Sequence, residues 1–299
     1  MQYILVDVSN LAFRSHYVFK GLSHAGKPTG MLYGCLNAVL SLRQAFRMPL
    51  VFCWDYGLPG MKTVPSWRRR IFPTYKAERT ENPDREAVLN MFPELGRVLR
   101  ILGIQSVGIP GLEADDIISL LAQRLDAGYV FTTDRDLYQV LEKNAIKIIR
   151  PKKQAGKYEI VSRDEVETES GILIDSWATY LALGGDKSDG IHVMRGVGPV
   201  GAIKMVQAGI DLTLEWEEQP YTVRTKFKVC EPHWKALQAA YQVAKLPISP
   251  FDSRIKHCIP DAAVLEIGAT TKPSLEYFTE FCADYGLRDH MARRREFFV

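Results

Sequence analysis

Aspartate ends three short apolar runs in this chain: Ile4-Leu5-Val6-Asp7, Val51-Phe52-Cys53-Trp54-Asp55, and Phe131-Thr132-Thr133-Asp134-Arg135-Asp136. In a parallel sheet the C-terminal strand ends share one edge, where such folds bind ligands, so these acids are expected to converge. A fourth group, Gly111-Leu112-Glu113-Ala114-Asp115-Asp116-Ile117, opens a helix with Glu113 and Asp116 on one face. Acidic decoration of a helix N-terminus is the plainer alternative for that group. A fifth, Gly184-Gly185-Asp186-Lys187-Ser188-Asp189-Gly190, reads equally as a polar turn. Taken together, this many acids at one edge repel one another unless they are protonated or bound to cations. Oxygen-only ligands suit Mg²⁺ or Mn²⁺, and without a His and Cys cluster zinc is disfavoured. Two such ions roughly 4 Å apart activate water and stabilise the attacking and leaving oxygens at a phosphodiester, so the chemistry implied is phosphodiester hydrolysis.

The elements that must position these acids follow from hydrophobic periodicity. Short β-rich runs alternate with helical segments, the pattern of an α/β fold with a mostly parallel sheet covered by helices. The expected strands are Tyr3–Val6, Leu50–Trp54, Gln105–Val107, Tyr129–Thr132 and Ile146–Ile149. The expected helices are Met31–Arg47, Arg85–Leu102, kinked or divided by Pro93, and Leu112–Leu125. After about residue 175 the strand pattern fades into glycine-punctuated helices. This predicts three parts: a catalytic core over 1–175, a helical subdomain over 176–260, and a segment over 261–299 packing back on the core. At 299 residues and 46% hydrophobic content, the chain can fill such a core.

Charge is segregated. Residues 1–80 hold eleven Lys and Arg against Asp7, Asp55 and Glu78, a net +8, and the remainder sums to −5 within a total of +3. A basic first quarter suits a polyanionic partner, with a solvated basic face as the alternative. Cys35, Cys53, Cys230, Cys258 and Cys282 are odd in number and widely spaced, and read as reduced, buried thiols of a cytoplasmic protein. No apolar run approaches membrane-spanning length, so no membrane association or export is expected.

The segment 57–83 breaks the rhythm with several prolines around Trp67-Arg68-Arg69-Arg70 and is too long for a simple connection. Arg68, Arg69, Arg70, Lys76 and Arg79, interleaved with Trp67, Phe72 and Tyr75, suit a single nucleic-acid strand, with charge for phosphates and rings for bases. A disordered basic loop is the alternative. Further on, Gly196-Val197-Gly198-Pro199-Val200-Gly201-Ala202 makes a tight turn into a helix over Ala202–Gln207. Open amides at such a start can hold a backbone phosphate, with Lys204 adding a contact, although a plain glycine-rich turn fits as well. His16 and His192 are read as structural or solvated, and the tail Arg293–Val299 as a packed helix end.

Gly-x-Glu-Ala-Asp-Asp at 111–116, Thr-Thr-Asp-Arg-Asp-Leu at 132–137, Tyr-Lys-Ala-x-Arg at 75–79 and Gly-Asp-x-x-Asp at 185–189 together resemble the 5′-nuclease, or flap endonuclease, family. That family includes the 5′→3′ exonuclease domain of bacterial DNA polymerase I and standalone bacteriophage enzymes. The resemblance spans about residues 3–210. It implies a PIN-like core, a helix-hairpin-helix at 196–204 with K⁺ at the hairpin, and an arch over 57–83. Two Mg²⁺ or Mn²⁺ ions are implied, the first near Asp7, Asp55, Glu113, Asp115 and Asp116, the second near Asp134, Asp136, Asp186 and Asp189. Lys76 and Arg79 fall to the scissile phosphate and Tyr75 to the terminal base. The implied substrate is DNA with 5′ flaps, nicks or frayed 5′ ends, handled by a monomer that meets replication proteins. Val8 and Gly190 depart from the family pattern, where Gly and Asn are common.

Two other readings stay open: an RNA-directed PIN-type nuclease, and a non-catalytic structure-specific DNA-binding protein. A phosphatase built on a strand-end Asp normally shows Asp-x-Asp at the first strand, and here Ser9 holds the second position.

Overall fold

The computed structural model describes residues 2–77, 82–152, 154, 156–186, 189–191, 194–259, 265, 267 and 271–298. Arg79 and His192 lie outside them, as does part of the expected C-terminal segment.

Strands β1 (Ile4–Asp7), β4 (Leu50–Trp54), β5 (Gln105–Gly108), β6 (Gly128–Phe131), β7 (Ile146–Pro151) and β8 (Tyr158–Val161) form one sheet in the order β5-β4-β1-β6-β7-β8. The first five are parallel and β8 is antiparallel. A separate two-stranded hairpin pairs β2 (Ser23–His24) with β3 (Lys27–Pro28). From β1 the chain builds outward through β4 and β5, then crosses to β6 and β7 on the other side. The crevice between β1 and β6 is therefore a topological switch point, the place where open α/β sheets bind ligands.

Both faces of the sheet are covered, which is why its strands read as continuous apolar runs. Ile4, Val6, Phe52 and Trp54 pack with helices α1 (Val8–Val18), α2 (Gly30–Phe46), α4 (Pro83–Asn90) and α5 (Phe92–Ile101). Alternate residues Leu5, Val51 and Cys53 face the opposite layer, where α6 (Ala114–Arg124) lies and α7 (Arg163–Ser170) adds Val166. Pro93 sits in the first turn of α5, and the long expected helix is divided at Met91 as the proline suggested.

A third cluster is helical. Helices α8 (Trp177–Gly184), α9 (Pro199–Gln207), α10 (Tyr221–Lys226) and α11 (Trp234–Ala244) bury Ala182, Met205, Val223, Trp234 and Leu237 together. The helix expected to start at Ala202 starts at Pro199, whose missing N–H is no loss in a first turn. The short helix α3 (Arg68–Ile71) lies in the basic segment. No described helix is long and apolar enough to cross a membrane. Cys35, Cys53, Cys230 and Cys282 are buried free thiols as expected, whereas Cys258 is half-exposed.

The last helices, α12 (Leu275–Asp284) and α13 (Arg288–Ala292), return to the first layer, where Phe278, Phe281 and Phe297 are fully buried. His290 joins α13 to α2: its Nε2–H donates to Asn37 Oδ1 at 3.1 Å, and its ring meets Tyr33 edge-on at 4.7 Å. Burial pushes this imidazole down from 6.5 to about 4. Between those pH values the unfolded chain holds the extra proton, so His290 makes stability fall as pH falls. Relative to wild type, His290→Gln is expected to remove on the order of 2 kcal/mol of the stability loss between neutral pH and pH 4. Urea unfolding midpoints measured across that range check this, and parallel pH curves for the two proteins would refute it.

Candidate active site

The C-terminal ends of the central strands and the N-terminus of α6 border a cavity of about 820 Å³, lined by Asp7, Asp55, Glu113, Asp115, Asp134, Asp136, Asp186, Asp189 and Lys76. Asp7 ends β1 and caps α1. Its Oδ1 accepts the Asn10 N–H at 3.1 Å and its Oδ2 accepts the Thr132 hydroxyl at 3.1 Å, tying the tip of β1 to the residue after β6. Asp55 follows β4. One of its oxygens accepts the Ala114 N–H at 2.9 Å and the other the Ser9 hydroxyl. Asp134 Oδ1 accepts the Asp136 N–H at 2.9 Å. The last pair lies beyond α8, where Asp186 bridges to Ile191 and its Oδ1 accepts the Asp189 N–H at 3.3 Å.

Glu113 is the N-cap of α6 and accepts from three side chains. Tyr56 donates to its Oε1 at 2.7 Å, while Tyr75 at 3.0 Å and Lys76 Nζ at 2.5 Å share Oε2. Lys76 also lies 3.7 Å from Asp189, and its backbone N–H donates to the Asp189 carbonyl at 2.9 Å. The Lys76 backbone is left-handed, with φ +53, an uncommon conformation for a residue with a side chain. Gly190 explains one departure noted in the sequence. At φ +73, with the Thr74 carbonyl 3.0 Å from where a Cβ would stand, a side chain here would push against the base of the basic segment.

Three of the expected site residues are placed differently. Asp116 is fully buried. Its Oδ2 takes the Glu113 N–H at 3.0 Å, Trp67 Nε1 at 2.9 Å and Arg68 Nη1 at 2.9 Å, so it is no lining acid of the cavity. Arg68 is 2% exposed and points inward to Asp115 and Asp116 rather than to a strand in solvent. Tyr75, also 2% exposed, donates to Glu113 and Asp189 and packs in the helical cluster, which leaves no face open for stacking on a base. Arg69 and Arg70 remain exposed. In the glycine turn, Gly196 has φ +85 and Gly198 is the N-cap of α9, with Val200 and Lys204 exposed beside it.

Burial with little compensation drives Asp7 and Asp136 toward neutrality. Burial, reinforced by the nearby Asp55 and Asp134 charges, pushes the Asp7 carboxyl up to about 7. Burial and the charges of Asp134, Asp186 and Asp189 push Asp136 up to about 8. Glu113 goes the other way: burial alone would raise it, but Arg68 and Lys76 outweigh burial and hold it at about 2. Among the described residues no three carboxylate, imidazole or thiol groups already converge on one ion position.

Residues 2–171 match the family of the 5′-3′ exonuclease N-terminal, resolvase-like domain. The chain belongs to that family. It is 30% identical over 261 residues to a 5′-3′ exonuclease of Aquifex aeolicus, covering 84% of this chain and 86% of that protein. It is also 30% identical over 209 residues to DNA polymerase I of Deinococcus radiodurans, covering 68% of this chain and 20% of the polymerase, so it spans about a fifth of that relative. In fold it is similar to the T5 5′-exonuclease solved with zinc, with TM-score 0.61 at 18% identity, covering 95% of this chain and 98% of that one. It is similar too to the catalytic core of Rad2 solved with a DNA substrate, with TM-score 0.56 at 16% identity, covering 95% and 86%. The PIN-like, mostly parallel sheet expected from the motifs is the fold this family member has.

Several residues at the site were not among the expected functional ones. Ser9, Asn10, Tyr56 and Thr132 hold Asp55, Asp7 and Glu113 by hydrogen bonds; Asn10 is three residues from Asp7 and Thr132 follows the strand beside it, whereas Ser9 and Tyr56 reach acids 46 and 57 residues away. Arg14 and Arg85 line the same cavity, Arg14 lying over the Phe131 ring at 5.3 Å. Helical spacing from Asp7 points to Arg14, a signal masked in the sequence by the polar residues along α1. The eight acids in the lining offer only oxygen donors, which suits a hard divalent cation.

In the fold Asp7 and Asp136 keep protons that the unfolded chain releases near 3.8. Between that pH and about 7 to 8, the folded chain therefore holds more protons, and each group makes metal-free stability fall as pH rises. Asp7→Asn and Asp136→Asn are expected to flatten that decline relative to wild type in EDTA, and thermal melts from pH 4.5 to 8.5 check it. Parallel pH dependences in variant and wild type would remove this account of the site's charge.

Proposed function

We propose that the chain is a structure-specific 5′ nuclease that hydrolyses DNA phosphodiesters near 5′ ends, at flaps, nicks and frayed termini, in replication or repair. The observation that carries this reading is the ring of acids around one open cavity with Lys76 among them. Asp7, Asp55, Glu113 and Asp115 would hold one Mg²⁺ or Mn²⁺, and Asp134, Asp136, Asp186 and Asp189 a second. When bound, these ions supply water activation and neutralise charge on the attacking and leaving oxygens.

The chain's own groups do the rest. Ser9, Asn10 and Thr132 fix the carboxylates of Asp55 and Asp7, so little reorganisation is needed when cations arrive. Lys76, at the cavity beside Glu113 and Asp189, stabilises negative charge developing on the scissile phosphate. Arg79 shares that task. Exposed Arg69 and Arg70 guide the single strand, and the amides opening α9, with Lys204, grip a duplex phosphate beside a K⁺ ion at Gly196, Gly198 and Gly201. In this reading catalysis falls to 1–175, duplex binding to 176–260, and bracing of the core to 261–299. The chain acts as a monomer and is recruited by replication proteins.

A gel assay of 5′-labelled flap DNA tests this. Cleavage is expected with Mg²⁺ and none in EDTA, with RNA flaps cut more slowly. Asp134→Ala should abolish turnover while DNA binding stays measurable, and Lys76→Ala should lower the single-turnover rate by about 10²–10³. Cleavage that survives chelation, or a Lys76→Ala variant at full rate, would overturn these assignments, and faster cutting of RNA would make the enzyme an RNA-directed nuclease.

A further inference from the structure

Of Arg68, Arg69 and Arg70, Arg68 alone turns inward. Its guanidinium fork is almost fully used: Nε donates to the Val243 carbonyl at 3.0 Å, Nη1 to Asp116 Oδ2 at 2.9 Å, and Nη2 to Asp116 Oδ1 at 2.9 Å and Asp115 Oδ2 at 3.0 Å. Trp67 and Tyr75 lie against its charge, with ring centres at 4.8 and 5.8 Å. Three parts of the molecule meet on this side chain: the start of α6, the base of the basic segment, and the last turn of α11, whose carbonyls have no partner within the helix.

We propose that Arg68 is a positioning residue for the hydrolysis, fixing the Asp115 carboxylate at the cavity and tying it to the helical layer through α11. The inference rests on the nuclease reading above. Asp116 and Arg68 make a two-point contact that sets the plane of the guanidinium, and the remaining Nη2 bond sets Asp115. Charge neutralisation alone would need only a cation. The geometry needs a planar fork, which lysine lacks. Because Asp115 lines the cavity and Val243 belongs to α11, a shift of the helical layer on duplex DNA reaches this carboxylate through a single side chain.

The test compares Arg68→Lys, which keeps charge and loses the fork, with Arg68→Met/Asp116→Asn, which removes the buried pair at similar volume. Mn²⁺ affinity is read by electron paramagnetic resonance without DNA, flap binding in EDTA, the Mg²⁺ dependence of single-turnover cleavage, and folding by circular dichroism. Both variants are expected to fold and to bind flap DNA within about twofold of wild type. Both should bind Mn²⁺ about 10–100-fold more weakly and need correspondingly more Mg²⁺ for half-maximal rate. Unchanged Mn²⁺ affinity and Mg²⁺ dependence in both variants would reduce Arg68 to a structural counter-ion and overturn the proposal. If wild type binds Mn²⁺ but cuts no flap, the nuclease reading fails while the titration still decides Arg68's role. If wild type binds no Mn²⁺, both fail.

Discussion

Like charge confined to one cavity is the constraint around which this molecule is arranged. Acids from the ends of β1, β4 and β6, from the start of α6 and from the turn beyond α8 share a single space. Two unit charges at 4 Å repel by about 4 kcal/mol at an effective dielectric of 20, so such a set cannot stand fully ionised and unpaired. The fold answers in three ways. Asp7 and Asp136 retain protons, while Glu113 and Asp115 are paired with Lys76 and Arg68. Asp55 and Asp115 are also held on backbone amides of the first turn of α6, where the helix dipole favours negative charge.

The part of this that was legible in the chain is the part set by topology. A strand that ends in Asp, repeated in parallel strands, must place those carboxylates on one edge, so Asp7, Asp55 and Asp134 could be read without coordinates. Pro93 marked a helix boundary for an equally local reason. What escaped was direction within a helix turn. Glu113 and Asp116 are three apart and share a face, yet the capping arrangement at the start of α6 turns the Asp116 carboxylate back onto the Glu113 amide and away from the cavity. Arg68, Arg69 and Arg70 read as one basic strip, but consecutive helical residues point about 100° apart, and one of the three had to face the core.

Helix α1 and strand β8 share a weak apolar signal. Helix α1 buries Ser15 and His16 alongside Val8 and Leu11, so polar residues interrupt its hydrophobic face. His16 is held there by donating to Asp84 at 3.2 Å, a partner that spacing along the chain could not have suggested. Strand β8 is a short antiparallel edge of four residues that includes Glu159, and an edge strand need not be apolar on both faces. Gly190 was legible only as a departure from a pattern; its reason, the Thr74 carbonyl against it, is tertiary.

The same close approach bears on how the basic segment and the acids act together. Lys76 keeps a left-handed backbone, which costs on the order of 1–2 kcal/mol for a residue with a Cβ. The Asp189 carbonyl bonded to its N–H, and Glu113 bonded to its ammonium, offset that strain. The lysine is thus held on acids of the cavity, and Tyr75 bonds to the same two acids beside it. In the proposed reaction, a phosphate entering this space would offer the ammonium a second anion, and cations held by Glu113 and Asp189 would take over its pairing role. An exchange of partners of that kind, rather than a bare positive charge, would let a strongly acidic pocket accept a polyanion.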